Sequence, residues 1–261
     1  MNSRGGRRLG VLFTPAEIDE GRLRGGGAAV VDVLRATSVI PAALAAGASQ
    51  VVPAGSVDEA LAVHASLGRD SSLLCGERQG KMIPGFDLGN SPCEYSADRV
   101  RGKALVYLST NGAPAVLRAQ VAALLVTASF VNAGAAVAAL SEGPGDVTLV
   151  ASGNEGRASL EDAACCGFLA DRLREADPGF VPDDGAVMAG EIWRSWKGNL
   201  RGLLAASSHG AYLATLGFAL DLDYCARVDT VPLVPVFREG RLVPLGSGSP
   251  ESARAALQPP V

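Results

Sequence analysis

The chain has 261 residues, 48% of them hydrophobic, which is enough apolar material for a large core and argues against disorder. A formal charge of −4 and a pI near 5.3 leave no basic surplus for nucleic acid. The longest apolar run, QVAALLVTASFV, is too short to span a bilayer, and the opening MNSRGGRRLGVLF has too brief an apolar stretch for a signal peptide. These features predict a cytoplasmic protein with no nucleic-acid and no membrane partner.

Taken in chain order, the first signal is Thr14-Pro15-Ala16-Glu17, a capping-box pattern at a helix start. AAVVDV (28–33) is apolar and β-branched, so it predicts a buried strand; Arg35, Thr37 and Ser38 then lead into the helix-compatible VIPAALAAG. Hydroxyls and backbone N–H groups at such a junction suit a phosphate or carboxylate. Asp32 is costly to bury alone, so it is either the salt-bridge partner of Arg35 or a ligand to metal or phosphorus. QVVPA (50–54) is the next strand. Ser56-Val57-Asp58-Glu59 caps the helix after it, on which His64 is a solvated residue.

SLLCGE (72–77) predicts a strand running into GERQGKMIPGFDLGNSP, a Gly-rich loop holding Glu77, Arg78 and Lys81. It is not a P-loop, because three residues rather than four separate Gly76 from Gly80-Lys81 and Met82 stands where Ser or Thr is needed. ALVYLST (104–110) ends in Thr110, Asn111 and Gly112, where the glycine is expected to supply an unusual backbone angle, before the helix GAPAVLRAQ. ALLVTA (123–128) and the helix VNAGAAVAALSE follow. VTLVAS (147–152) leads to GNEGR, with Glu155 and Arg157, and to a long helix opened by Ser159-Leu160-Glu161-Asp162, whose acids also suit a helix dipole. DPGFVPDDG (177–185) is a break, and EIWRSWKGNLRG is a basic helix or loop. His209 either begins the helix HGAYLATLGFALD or acts as a general acid, and TVPLVPVF (230–237) is the last predicted strand.

This alternation predicts an α/β protein, layered helix/sheet/helix with a mixed, largely parallel sheet. It forms a single domain over 1–261, or two closely packed α/β lobes with a break near 177–185. Four polar loops after strand ends would then converge at one edge of the sheet. The five cysteines (75, 93, 165, 166 and 225) show no CxxC spacing and predict free thiols. Neither Cys93…Arg99 nor Cys166…Arg172 makes a cysteine-phosphatase loop: the first has two acids and no glycine, and the second lies within a helical pattern.

Taken together and in this order, VVDVLRATS, GERQGKMIPGFDLGNSP, the strand ending in TNG, SFVNAGAAV and GNEGRASLEDAACCG resemble the 2-phosphosulfolactate phosphatase family of coenzyme M biosynthesis. A weaker block, SSHGAYLATLGFALDLDYCARVDTVPLVP, extends the likeness almost to the C-terminus. The resemblance implies a magnesium-dependent (Mg2+) hydrolase that converts 2-phospho-3-sulfolactate to 3-sulfolactate and phosphate. It also implies an α/β fold that is neither Rossmann nor haloacid-dehalogenase.

Such a substrate carries about four negative charges. Arg35, Arg78, Lys81 and Arg157 would supply cations; Thr37, Ser38, Thr110, Asn111 and Gly112 would supply further contacts, including N–H donors at two helix starts. Asp32, Glu155, Glu161 and Asp162 form the pool of metal ligands. Asp32 and Arg35 are the catalytic pair, with either in-line attack by an activated water or an aspartyl-phosphate on Asp32. The alternatives are a phosphatase of another phosphorylated 2-hydroxyacid and a non-catalytic anion-binding module. A homodimer is compatible with these features.

Overall fold

The computed structural model describes residues 6–246; the opening MNSRG of the basic N-terminal stretch lies outside them. Its strands are β1 (Arg8–Leu12), β2 (Gly27–Val31), β3 (Gln50–Pro53), β4 (Ser72–Arg78), β5 (Lys81–Met82), β6 (Ala104–Leu108), β7 (Leu124–Ala128), β8 (Val147–Ala151), β9 (Val181–Pro182), β10 (Pro235–Arg238) and β11 (Arg241–Pro244). They join in one sheet of order β5-β4-β6-β3-β11-β10-β7-β2-β8-β1-β9. Two blocks are parallel, β4-β6-β3 and β7-β2-β8-β1-β9. The antiparallel hairpin β10–β11 links them, meeting β7 at Val236 and β3 at Leu242.

The apolar pattern explains the layers. Along β2, Ala28 and Val30 point to one core while Ala29 and Val31 point to another, the period of two expected of a strand buried on both faces. On the first face, the helices Ala36–Ala45 and Gly112–Ala119 bring Val39, Ile40, Ala43, Ala115 and Val116 against Val51, Leu105 and Tyr107 of one block and Val30, Leu125 and Val150 of the other. Both blocks thus share a core built around these two helices, whose N-termini lie beyond the ends of β2 and β6. On the second face, the helices Ala133–Glu142, Leu160–Ala176 and Asp184–Trp196 cover β7, β2, β8 and β1 through Leu140, Leu169, Leu173 and Trp193.

All seven predicted strands are present, and β1, β5, β9 and β11 are additional short ones. The last predicted strand is shorter than expected: residues 231–234 are irregular and the strand starts only at Pro235, as befits a segment whose prolines at 232 and 235 offer no N–H to a neighbour. DPGFVPDDG holds the edge strand β9 between two helices. HGAYLATLGFALD is two helices, Ser208–Thr215 and Ala219–Cys225, separated at Gly217 with φ +89°. EIWRSWKGNLRG supplies the end of the helix Asp184–Trp196 and the start of Leu200–Ala206. Among the described residues, no helix is long and apolar enough to cross a membrane.

Candidate active site

Each polar loop follows the C-terminal end of a parallel strand, and hydrogen bonds tie the loops to one another. After β2 the chain passes through Asp32 to the helix Ala36–Ala45. Asp32 is buried, and its Oδ1 accepts from the Ala36 N–H (3.3 Å). The Thr37 hydroxyl accepts from Asp32 N (2.8 Å) and donates to Ala128 O (2.7 Å), while the Ser38 hydroxyl donates to Val33 O (2.8 Å). Both hydroxyls are fully buried and shape the junction, so neither is free to receive a substrate as the sequence suggested.

Arg35 is 2% exposed and does not pair with Asp32. Its Nη1 donates to Asp221 Oδ2 (2.7 Å) and its Nη2 to Gly80 O (2.7 Å), and the guanidinium lies 4.4 Å from the Phe218 ring centre. The salt-bridge reading of Asp32 is therefore overturned: the cation belongs to an acid 186 residues away.

At the end of β4, Glu77 turns inward where Arg78 turns out. Glu77 Oε1 accepts from Thr110 N (2.7 Å) and Oε2 from Gly80 N (2.8 Å), so one carboxylate binds the Gly-rich turn to the end of β6. Arg78 and Lys81 face each other across the β4–β5 hairpin, both exposed and outside the cleft lining. Gly112 was expected to supply an unusual backbone angle, but its φ is not positive. The reason for glycine is proximity: a Cβ there would lie 2.6 Å from Asp32 Oδ2 and 2.5 Å from Ala36 Cβ.

The fourth loop closes the group. Glu155, at φ +51°, donates its N–H to Asn111 Oδ1 (3.2 Å), linking the loop after β8 to the one after β6. Neither Thr14 nor Ser159 caps its helix start through its side chain, whereas Ser56 does, accepting from Glu59 N. Asp162 likewise does not serve the capping role; its two oxygens accept from Val33 N (2.8 Å) and Gly153 N (3.0 Å), pinning the ends of β2 and β8 together. Glu161 beside it is buried and its Oε2 has no partner.

Between these loops runs a cleft in two parts. The inner part is lined by Glu77, Gln79, Gly80, Thr110, Asn111 and Tyr212, the outer by Arg157, Ser159, Glu161, Ser207 and Ser208; Asn154, Glu155 and His209 line both. His209 occupies the first turn of the helix Ser208–Thr215, as one reading of the sequence had it, and faces the cleft from there. His64 is only partly buried, its Nδ1 is hydrogen-bonded to Ser72 Oγ (2.8 Å), and it lines neither part of the cleft. A separate groove along β1, β8 and β9 contains Arg8, Asp19, Arg22 and Asp183, but its Arg8–Asp146 pair is already satisfied at 2.7 Å.

Burial and mutual repulsion set the electrostatics. Burial, then the Glu77 and Glu161 carboxylates, push Asp32 up to about 7. Burial also holds Asp162 well above the ordinary carboxylate range, with Glu161 and Asp32 adding to it, and burial raises Glu161. His209 is lowered, first by burial and then by Arg35. Acids that raise one another, next to an unpartnered carboxylate oxygen, are oxygen donors of the kind a hard divalent cation takes. Among the described residues, no three His, Cys, Asp or Glu side chains gather tightly enough to hold an ion by themselves. A cation here would need water or substrate oxygens as well, which is how magnesium is commonly bound.

The sequence thus brings together Asp32, Arg35, Thr110, Asn111, Gly112, Glu155, Arg157, Glu161 and Asp162. It does not place Arg78 or Lys81 in the cleft, it passed over Asp221, and it gave no role to Ser91 or to the inward-turned Glu77. Strand alternation was the available signal for Glu77, since it precedes an outward Arg78. Asp221 had no local signal.

Comparison with known proteins gives one consistent result. Residues 12–240 match the family model described as 2-phosphosulpholactate phosphatase. A probable 2-phosphosulfolactate phosphatase of Symbiobacterium thermophilum is 40% identical over 233 residues, covering 89% of this chain and 98% of that protein. Similarly named proteins of Synechocystis (42% over 210 residues, 80% and 87% covered) and Carboxydothermus hydrogenoformans (39% over 238 residues, 90% and 96% covered) agree with it.

Proposed function

The chain belongs to the 2-phosphosulpholactate phosphatase family, and from that premise we propose that its cleft hydrolyses 2-phospho-3-sulfolactate to 3-sulfolactate and inorganic phosphate. The observation that carries this reading is a buried carboxyl raised to about 7, Asp32, and a fixed cation, Arg35, that acts on it electrostatically, both packed directly behind a cleft lined by the loops at the ends of β4, β6 and β8. A phosphate monoester needs both: positive charge against the equatorial oxygens and a group that takes a proton from the attacking water.

With a pKa near 7, Asp32 is ionised in a large share of molecules at neutral pH and basic enough to accept that proton. As the water oxygen bonds to phosphorus, the bond from phosphorus to the C2 oxygen breaks. Arg35 offsets charge on the transferred group, and the exposed Arg157 on the outer part of the cleft faces the substrate's remaining anions. His209, which lines both parts, would return a proton to the leaving alkoxide. Magnesium, when bound, would supply further charge neutralisation and orientation; Glu161, through its unpartnered oxygen, and Glu155 are the residues that would hold it. Asp162 is less available to it, because each of its oxygens already accepts a backbone N–H. Five free cysteines, four of them buried, suit a reducing compartment such as the cytoplasm.

The test is phosphate release from 2-phosphosulfolactate, 2-phospholactate and 2-phosphoglycerate, each with magnesium and with EDTA. The reading expects the sulfonated ester to be preferred and EDTA to suppress turnover. Preference for an ester that lacks the sulfonate would point to another phosphorylated 2-hydroxyacid, and no release from any of them would leave an anion-binding module.

A further inference from the structure

Arg35 is held from three sides, and every contact leaves the same atom free. Asp221, on the helix Ala219–Cys225, takes Nη1 (2.7 Å), the Gly80 carbonyl takes Nη2 (2.7 Å), and Phe218 covers the guanidinium face. Behind Asp221, the Ser91 hydroxyl donates to its other oxygen (2.5 Å), and Ser91 itself is fixed at the head of the turn Pro92–Glu94 by reciprocal bonds with Glu94. Ser91, Asp221 and Arg35 are all at most 5% exposed. Arg35 Nε is buried and has no partner.

A guanidinium never loses its proton in a protein, so an unsatisfied buried Nε–H is costly unless something negative comes to it. Gly80, which receives the neighbouring Nη2, lines the inner cleft, and Arg35 acts electrostatically on both Asp32 and His209. The unpartnered Nε–H is thus buried one residue behind the cleft lining, on a cation that acts on both proposed proton carriers.

We propose that Asp221, backed by Ser91, is a positioning residue that fixes the Arg35 fork so that its Nε–H is reserved for an oxygen of the transferred phosphoryl group. This rests on the phosphatase reading of the cleft. It assigns a function to the DLGNSP segment and to the second half of HGAYLATLGFALD that neither loop would have from its own residues.

The probe is inorganic phosphate, titrated into magnesium-containing solutions of the full chain while the Arg35 Hε–Nε cross-peak is followed by NMR, the peak being identified by its loss in Arg35→Lys. In the wild type the cross-peak should move with saturable phosphate binding. Asp221→Asn should weaken phosphate by about ten-fold or more, and Ser91→Ala by a smaller, few-fold factor with a melting temperature lowered by a few degrees. In steady-state assays both should lower kcat rather than only raise KM. Should Asp221→Asn fail to fold, Ser91→Ala carries the comparison. A wild-type cross-peak that ignores phosphate overturns the proposal, as does a Ser91→Ala variant that is less stable yet binds phosphate and turns over like wild type. If the cross-peak moves but 2-phosphosulfolactate is not hydrolysed, the positioning stands and the substrate assignment falls.

Discussion

Replacing Asp32 by Asn separates the cost of a buried charge from its use. Asn keeps an oxygen to accept from Ala36 N but cannot ionise. In the folded chain Asp32 is raised from an ordinary 3.8 to about 7, which corresponds to roughly 4 kcal/mol of destabilisation once the group is ionised in both states. The sign follows from proton binding: between about 4 and 7 the folded chain holds the proton more tightly, so wild-type stability is greatest below the unfolded value and falls as pH rises through the folded one. Asn carries its own burial cost at both pH values, so the expected net gain at pH 8 is about 2–4 kcal/mol, and it should fall by about 3 kcal/mol, to roughly zero, by pH 4.5.

Urea denaturation in EDTA at the two pH values reads this directly, and phosphate release reads the function. Activity should fall by about a thousand-fold or more while stability at pH 8 rises. An Asn variant less stable than wild type at pH 8, or equally displaced at both pH values, would refute the electrostatic reasoning; retained turnover would refute the catalytic role.

Glu161→Gln should likewise stabilise the metal-free protein at alkaline pH, because burial raises this carboxyl, and should abolish any rise in melting temperature on adding magnesium to an EDTA-treated sample. Gly112→Ala should destabilise by about 1–3 kcal/mol in urea denaturation and remove activity, since the new methyl group would overlap Ala36 and crowd Asp32 Oδ2. Arg78→Ala and Lys81→Ala, lying outside the cleft, should leave kcat unchanged and lower kcat/KM by less than about three-fold, with the difference vanishing at high salt.

The fold was legible where local pattern decides. Val30 and Val31 serve opposite cores as their alternation requires, and the polar residues after β2, β4, β6 and β8 do come together. The hairpin β10–β11 carried a usable signal in Glu239-Gly240, both at positive φ between two short apolar runs, but the flanking prolines obscured it. The edge strands β5 and β9 have two residues each and no period to detect.

Within the candidate site, residue type and loop position pointed to Asp32, Arg35, Glu155 and Glu161, all of which the fold sets beyond strand ends. What each side chain touches was not legible. Thr37 and Ser38 look like anion donors but serve the backbone, and Asp162 looks like a dipole-pairing acid but ties two strands together. Arg35 reaches past its neighbour at position 32 to Asp221, a pairing set by tertiary packing alone.

The most direct test is a crystal of the full chain with magnesium, 3-sulfolactate and vanadate as a mimic of the transferred phosphoryl group. The account predicts oxyanion density between Asp32 and Arg35 Nε, the sulfolactate extending toward Arg157, and cation density beside Glu161. Density in the groove of Arg8, Asp19 and Asp183 instead, with the Asp32 cleft empty, would contradict it.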